Sequence, residues 1–263
     1  MILDMFRMDG QVAIVTGAGR GLGAGIAKAF AEVGADVVLG ARTESQLREV
    51  AALVEATGRR AAVVTGDLGK RDGMAALVAA ATATFGRIDV VVNNVGGSFP
   101  GPFLGTKEAD FDGALRWNVT TAFNLTQLAV PVMLESGGGN VINIASAAGR
   151  FVDRGFVAYG TAKAAMLHLT KNLAADLAPK IRVNAIAPGA IATDALGLVL
   201  QDEALERQMI ARTPLKRIGV IEDVAAAAVY LASPAAAYVT GRVLDIDGGV
   251  RASNLDMGIP DLA

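Results

Sequence analysis

The chain has 263 residues, a formal charge of −2, one histidine and no cysteine. Without thiols there is no disulfide framework, cysteine nucleophile or thiolate metal site, and a single histidine, His168, argues against a histidine metal centre or a Ser-His-Asp triad. The scattered charge gives no electrostatic footprint for nucleic acid or an anionic membrane, which leaves a small neutral or anionic ligand as the expected partner.

At 52% hydrophobic the chain can bury a full core. No linker divides it, so one domain over residues 1–263 is expected. The opening MILDMFRMDG is interrupted by Asp4 and Arg7 and does not read as a signal peptide. Apolar runs fall short of a membrane span. A cytoplasmic location is the expectation.

The first predicted strand, residues 12–16 (VAIVT), ends in TGAGRGLG and leads into a helix over 21–34. Glycines at the end of a strand let the backbone turn sharply and approach a pyrophosphate, whose charge meets helix N-terminal amides. Gly17, Gly21 and Gly23 occupy those places, with Leu22 between the last two. A second strand, 36–40, ends in GARTE. Where an NAD-binding chain usually carries a ribose-binding acid, this one has Ala41 followed by Arg42. A 2′-phosphate would there meet a bidentate cation, and Arg20 in the glycine loop can converge on it. NADP(H) is therefore the expected cofactor, with NAD(H) the alternative. The next helix, 43–57, has Thr43 as its expected N-cap and Gln46 as capping-box partner.

Further strands are predicted at 61–65, 88–92, 140–145, 181–186 and 243–247, and helices at 71–85, 107–135, 156–178 and 221–232. Pro131 is expected to bend or shorten the helix over 107–135. Near-continuous apolar strands alternating with helices predict an α/β fold around a doubly covered parallel sheet.

In the helix over 156–178, Tyr159 and Lys163 are spaced i, i+4 and share one face. A phenol ordinarily titrates near about 10. A cation about 4 Å away, at an effective dielectric near 20, supplies about 4 kcal/mol, enough to lower that value by 2 to 3 units. His168, on another face, is expected in packing or at an interface.

With TGAGRGLG, NNVG (93–96), Asn118, Ser146, YGTAK (159–163), RVNAIAPG (182–189) and DGG (247–249) in this order, the sequence resembles the short-chain dehydrogenase/reductase family over nearly its whole length. The resemblance implies a single Rossmann-type domain with a seven-stranded parallel sheet, and hydride transfer between a nicotinamide and a ketone or secondary alcohol without metal. Position by position, Tyr159 resembles the acid/base, Lys163 its activator, Ser146 the carbonyl orienter and Asn118 the anchor of a proton-relay water. Asp67, with Leu68, resembles the adenine contact, and Asn94, with Gly96, the cofactor side of strand four. Pro188, Gly189, Ile191 and Thr193 match the nicotinamide-contacting segment. A homotetramer is implied as well. NNVGG in place of Asn-Asn-Ala-Gly sets a larger Val95 beside the cofactor, which predicts altered packing and unchanged chemistry.

Residues 190–219 are expected to form a substrate lid, with Phe99, Phe103 and Phe151 over a hydrophobic substrate. A hydroxysteroid-type ketone, a 3-oxoacyl thioester on an acidic acyl carrier protein, and a smaller ketone or polyol all stay open. Arg150 and Arg154 would be the docking site for the carrier. The alternative from another functional class is a non-catalytic dinucleotide-binding regulator or scaffold. The C-terminal tail, 250–263, is expected to pack across a subunit interface.

Overall fold

The computed structural model describes residues 1–194, 196–197, 201–255, 258–259 and 261. Seven strands form one parallel sheet in the order β3-β2-β1-β4-β5-β6-β7. They are β1 (Val12–Thr16), β2 (Asp36–Ala41), β3 (Ala61–Thr65), β4 (Val90–Asn93), β5 (Gly139–Ile144), β6 (Ile181–Pro188) and β7 (Val243–Ile246). Successive strand side chains point to opposite faces. Ala13, Val15, Val37, Leu39, Val90 and Val92 enter one core, while Val12, Ile14, Val38 and Val91 enter the other. Both faces are dry, which is why the strands read as unbroken apolar runs.

Helices α1 (Gly21–Glu32) and α2 (Glu44–Glu55) cover the first face, together with α8 (Ile221–Ala232). On the second face lie α3 (Arg71–Phe85), α5 (Thr121–Glu135) and α6 (Val157–Leu177). Two further helices, α4 (Glu108–Leu115) and α7 (Glu203–Arg212), stand beside the carboxyl ends of the strands, where α4 packs on α6. Among the described residues no helix is long and apolar enough to cross a membrane.

The helix expected over 107–135 is interrupted. Between α4 and α5 the backbone makes a π turn at Arg116–Thr120, closed by the Thr121 amide on the Arg116 carbonyl. Asn118 sits in this turn and donates from Nδ2 to the Ala114 carbonyl, four residues back, and to the Gly97 carbonyl in the loop after β4. A polar side chain bonded into the helical ladder widens it locally. Pro131, by contrast, is accommodated inside α5, which runs on to Glu135.

One polar seam crosses the second face. Asn93 of β4 and Asn143 of β5 are register partners. The Asn93 amide donates to Asn143 Oδ1 at 2.8 Å and to Thr126 Oγ1 at 3.1 Å, and Asn143 donates onward to Thr170 Oγ1 at 2.9 Å. All four residues are buried.

Candidate active site

The strand order reverses direction at the β1–β4 junction, and the loops after those strands part to form a cleft at their carboxyl ends. Ligands of open α/β sheets bind at such a point. The cleft here is a cavity of about 760 Å³, lined by the glycine loop at one end and by Ser146, Tyr159 and Lys163 at the other.

The glycine loop is held by Thr16, the last residue of β1. Its buried hydroxyl donates to the Val92 carbonyl at 3.1 Å and accepts from the amides of Asn94 at 2.9 Å and Val95 at 3.1 Å. Asn94 returns a bond from Nδ2 to the Thr16 carbonyl at 2.9 Å. Gly17 takes φ +64°, and a Cβ there would lie 2.9 Å from Asn94 Nδ2. Gly23 is excluded from the cavity wall and serves packing, since a Cβ would come within 2.3 Å of the Gly17 carbonyl oxygen. Backbone and cavity together form a cradle that fits a dinucleotide pyrophosphate.

Gly17, Arg20, Gly21, Leu22, Arg42, Leu68, Asn94, Gly96, Pro188, Gly189, Ile191 and Thr193 all line the cavity. Asp67 does not. It is half exposed, accepts from the Gly69 amide at 3.0 Å and faces Lys70 at 3.9 Å. Arg20 lies 3.5 Å from Asp194 across the mouth, an exposed pair. The expected capping box at α2 is absent, because Thr43 makes no side-chain cap bond. Gln46 instead lines the cavity and packs where a Cβ on Gly19 would be 3.2 Å from it.

At the other end, Ser146 closes β5 and caps the short turn Ala147–Gly149, accepting from the Ala148 amide at 3.2 Å. Tyr159 and Lys163 come from the first turns of α6. Lys163 is buried and donates to the Ile144 carbonyl at 2.9 Å. Its Nζ stands 5.7 Å from the Tyr159 ring centroid. A Cβ on Gly96 would be 2.9 Å from that ammonium, so only a glycine leaves it room.

The phenol of Tyr159 is shifted upward, opposite to the expected lowering. Burial pushes the Tyr159 hydroxyl above its ordinary value, against the Ser146 hydrogen bond, and burial also holds the Lys163 ammonium down at about 8. Desolvation disfavours the charged form of both groups. Asn118 does not line the cavity. Its Oδ1 accepts from the Gly97 amide at 2.9 Å, so its side chain fastens the loop after β4 to the π turn.

Several sequence expectations are redirected. Phe151 lines the cavity together with Phe156, but Phe99 and Phe103 are largely exposed and lie outside it. His168 is exposed on α6. Arg150 pairs with Asp245 at 2.7 Å and with Asp247 at 3.2 Å, and Arg154 pairs with Asp261 at 2.5 Å. Both arginines are engaged in ion pairs within the chain. Of the expected lid, Ile191, Leu196 and Met209 line the cavity, and residues 195 and 198–200 lie outside the described residues. The Thr16 clasp and the place of Gln46 in the cavity wall have no counterpart among the sequence expectations. A threonine ending the strand just before the glycine loop was the available signal for the first.

Comparisons with known proteins agree with this architecture. A family model described as Enoyl-(Acyl carrier protein) reductase matches residues 17–251. An uncharacterized oxidoreductase of Mycobacterium tuberculosis is 55% identical over the whole of both chains. The 7alpha-hydroxysteroid dehydrogenase of Escherichia coli (strain K12) is 41% identical over 94% of this chain and 96% of its own. A solved 7 alpha-hydroxysteroid dehydrogenase complexed with NADH and 7-oxo glycochenodeoxycholic acid superposes with a TM-score of 0.91, at 41% identity over 94% of this chain and 96% of its own. A gluconate 5-dehydrogenase from Burkholderia cenocepacia in complex with NADP and tartrate gives 0.89, at 33% identity over 95% and 98%. A glycine-cradled cleft on a seven-stranded parallel sheet, matched along nearly the whole chain by such oxidoreductases, makes this chain a member of the short-chain dehydrogenase/reductase family, an NAD(P)-dependent enzyme of carbonyl and alcohol groups.

Proposed function

We propose that this enzyme is an NADP(H)-dependent reductase of a bulky, apolar ketone, and of the corresponding secondary alcohol in reverse. The reading is carried by the convergence of Ser146, Tyr159 and Lys163 on the end of the cavity opposite the glycine loop. When bound, the nicotinamide supplies or accepts the hydride. The Ser146 hydroxyl holds the carbonyl oxygen, and the Tyr159 hydroxyl gives that oxygen its proton as negative charge develops there. Lys163, fixed on the Ile144 carbonyl, stabilises the phenolate left behind. Asn118 acts at one remove by holding Gly97 and so the loop that walls the cleft.

Arg42 supports the NADP(H) preference, because it lines the cavity where a ribose-binding acid would repel a 2′-phosphate. Phe151, Phe156 and Met209 give the substrate end an apolar wall, which suits an alicyclic, hydroxysteroid-type ketone. The internal pairing of Arg150 and Arg154 speaks against a 3-oxoacyl group on an acidic carrier. The family habit supports a homotetramer, and the exposed Phe123 of α5 and Val157 of α6 would suit its interface.

The test is a screen of alicyclic, long-chain 3-oxoacyl and small polyhydroxy ketones with NADPH and with NADH. Turnover of alicyclic ketones, faster with NADPH, is expected. NADH preference would overturn the Arg42 argument, and exclusive turnover of polyhydroxy ketones would overturn the apolar substrate.

A further inference from the structure

We infer that Arg150 is a positioning residue: it braces the turn that presents Ser146 against the carboxyl ends of β6 and β7, and so sets the separation across which hydride reaches the carbonyl. The inference rests on the role proposed above for Ser146 and on the expected place of Gly189 beside the nicotinamide.

The brace has two sides. Ser146 caps the turn Ala147–Gly149, and Arg150 closes it, its amide donating to the Ala147 carbonyl at 2.9 Å. This turn lies directly on α6, because a Cβ on Gly149 would fall 2.7 Å from the carbonyl carbon of Lys163. From the turn the Arg150 guanidinium crosses to the end of β7, where Nη1 meets Asp245 at 2.7 Å and Asp247 at 3.2 Å. The side chain of Asp247 is 6% exposed, and the residue packs on Gly189, where a Cβ would lie 2.8 Å from both its Cα and its Cβ. The Gly189 amide donates to the Ile246 carbonyl at 2.9 Å, which ties the ends of β6 and β7 together.

The arginine is what holds this corner. Burial pushes the Asp245 carboxyl up, the charge of Arg150 opposes that, and the neighbouring Asp247 adds to the upward shift. Without a cation between them the two carboxylates would repel each other. The same guanidinium lies over the Phe151 ring, 4.9 Å from its centroid, and Phe151 lines the cavity. Ser146 and Gly189 also stand in the cavity wall, whereas Arg150 does not line it. Its influence on the reaction therefore passes through the two walls it joins. Group transfer is sensitive to such a separation, since a displacement of about 1 Å can cost about 100-fold in rate.

The experiment compares the full chain with Arg150→Ala, Arg150→Lys and Asp245→Asn. Amide hydrogen exchange, measured without cofactor, is expected to quicken several-fold in Arg150→Ala over both 146–151 and 187–190. Single-turnover reduction by bound NADPH is then followed with whichever alicyclic, 3-oxoacyl or polyhydroxy ketone the full chain reduces fastest. Counted per NADPH bound, the rate is expected to fall by about 10- to 100-fold in Arg150→Ala. The half-saturating ketone concentration is expected to change by less than about threefold. A chain that is merely destabilised would bind less NADPH and react at the parent rate per site. Lysine supplies a point charge without the planar fork, so Arg150→Lys is expected to recover part of both the protection and the rate. Asp245→Asn is expected to show the smaller change, because Asp247 still holds the guanidinium. Parent-like exchange in Arg150→Ala overturns the brace, whichever ketone is reduced. Quickened exchange with a parent-like rate per bound NADPH overturns its part in the reaction. Failure of the full chain on every ketone counts instead against the proposed function, and the exchange measurement still decides the brace.

Discussion

Lys163 Nζ donates to the Ile144 carbonyl at 2.9 Å while standing 5.7 Å from the centre of the Tyr159 ring, so one buried ammonium is shared between the end of β5 and the phenol. Burial holds this ammonium down at about 8. Below that pH it is charged in the free enzyme, and above it the charge that would support a phenolate is lost. The expected kcat/KM for ketone reduction is flat on the acid side and declines above pH of about 8, since this parameter reports free-enzyme ionisations. Tyr159→Phe is expected to lower turnover by about 10²- to 10⁴-fold with NADPH binding retained. Undiminished turnover in that variant would remove the proton-transfer role.

Under the proposed NADP(H) preference, Arg42 is the group expected to distinguish the two nicotinamide cofactors. Charge-assisted bonds of this kind contribute about 1.5–3 kcal/mol. Arg42→Ala is expected to weaken NADPH by roughly 10- to 100-fold and to leave NADH nearly unchanged, as measured by fluorescence titration. Equal losses for both cofactors would place Arg42 away from the 2′-phosphate. Arg20 is held towards Asp194 in an exposed pair, so Asp194→Asn is expected to change NADPH affinity less than Arg42→Ala.

Gly23 tests whether the cradle depends on close backbone contact. An alanine there would set its Cβ 2.3 Å from the Gly17 carbonyl oxygen, a backbone atom, and 2.7 Å from Asn94 Nδ2, which is held on the Thr16 carbonyl. Gly23→Ala is expected to cost about 1–3 kcal/mol in urea unfolding and to weaken both cofactors alike. Gly58→Ala is a control for backbone strain, because Gly58 has φ +80° and open space where a Cβ would go.

Asp36, at the start of β2, is 4% exposed in its side chain and pairs with Arg59 at 2.9 Å and Arg60 at 2.7 Å. Burial pushes its carboxyl up, but the Arg60 amide and both guanidinium groups outweigh that, and the net shift is downward. The unfolded carboxyl titrates near about 3.9. The contribution of Asp36 is therefore fully present above that value and is lost as pH falls through the lower folded-state value. Asp36→Asn is expected to lose about 1–3 kcal/mol at pH 7, measured by urea unfolding, with the difference from the parent shrinking towards pH 3. A difference that does not change with pH would show that the charge of Asp36 is unimportant.

The sheet was legible because its signal is repeated: seven apolar runs, each near a strand in length, separated by helical periods. The glycine loop was legible because backbone geometry at a phosphate site demands a particular residue type. Other features depend on partners distant in sequence. The π turn at Arg116–Thr120 needs Gly97 to hold Asn118, and no local pattern announces it. Arg150 and Arg154 look like free cations until Asp245, Asp247 and Asp261 are brought to them from about a hundred residues away. Thr43 and Gln46 have the spacing of a capping box, yet Gln46 packs against the glycine loop instead. Phe99 and Phe103 have the right composition for a pocket wall, but the loop after β4 carries them outward.

The asparagine pair in the middle of the sheet bears on how the chain finds this pairing at all. Apolar strands of similar composition can slide past one another at little cost, because valine against valine is satisfied in many alignments. Asn93 and Asn143 meet only in the native register, where Thr126 and Thr170 accept from their amide nitrogens. A slip of one residue between β4 and β5 would bury amides against valine and isoleucine and turn each strand's side chains to the wrong face. The pair thus excludes misaligned sheets, and it does so directly beneath the strands whose ends must present Asn94 and Ser146 to the cleft.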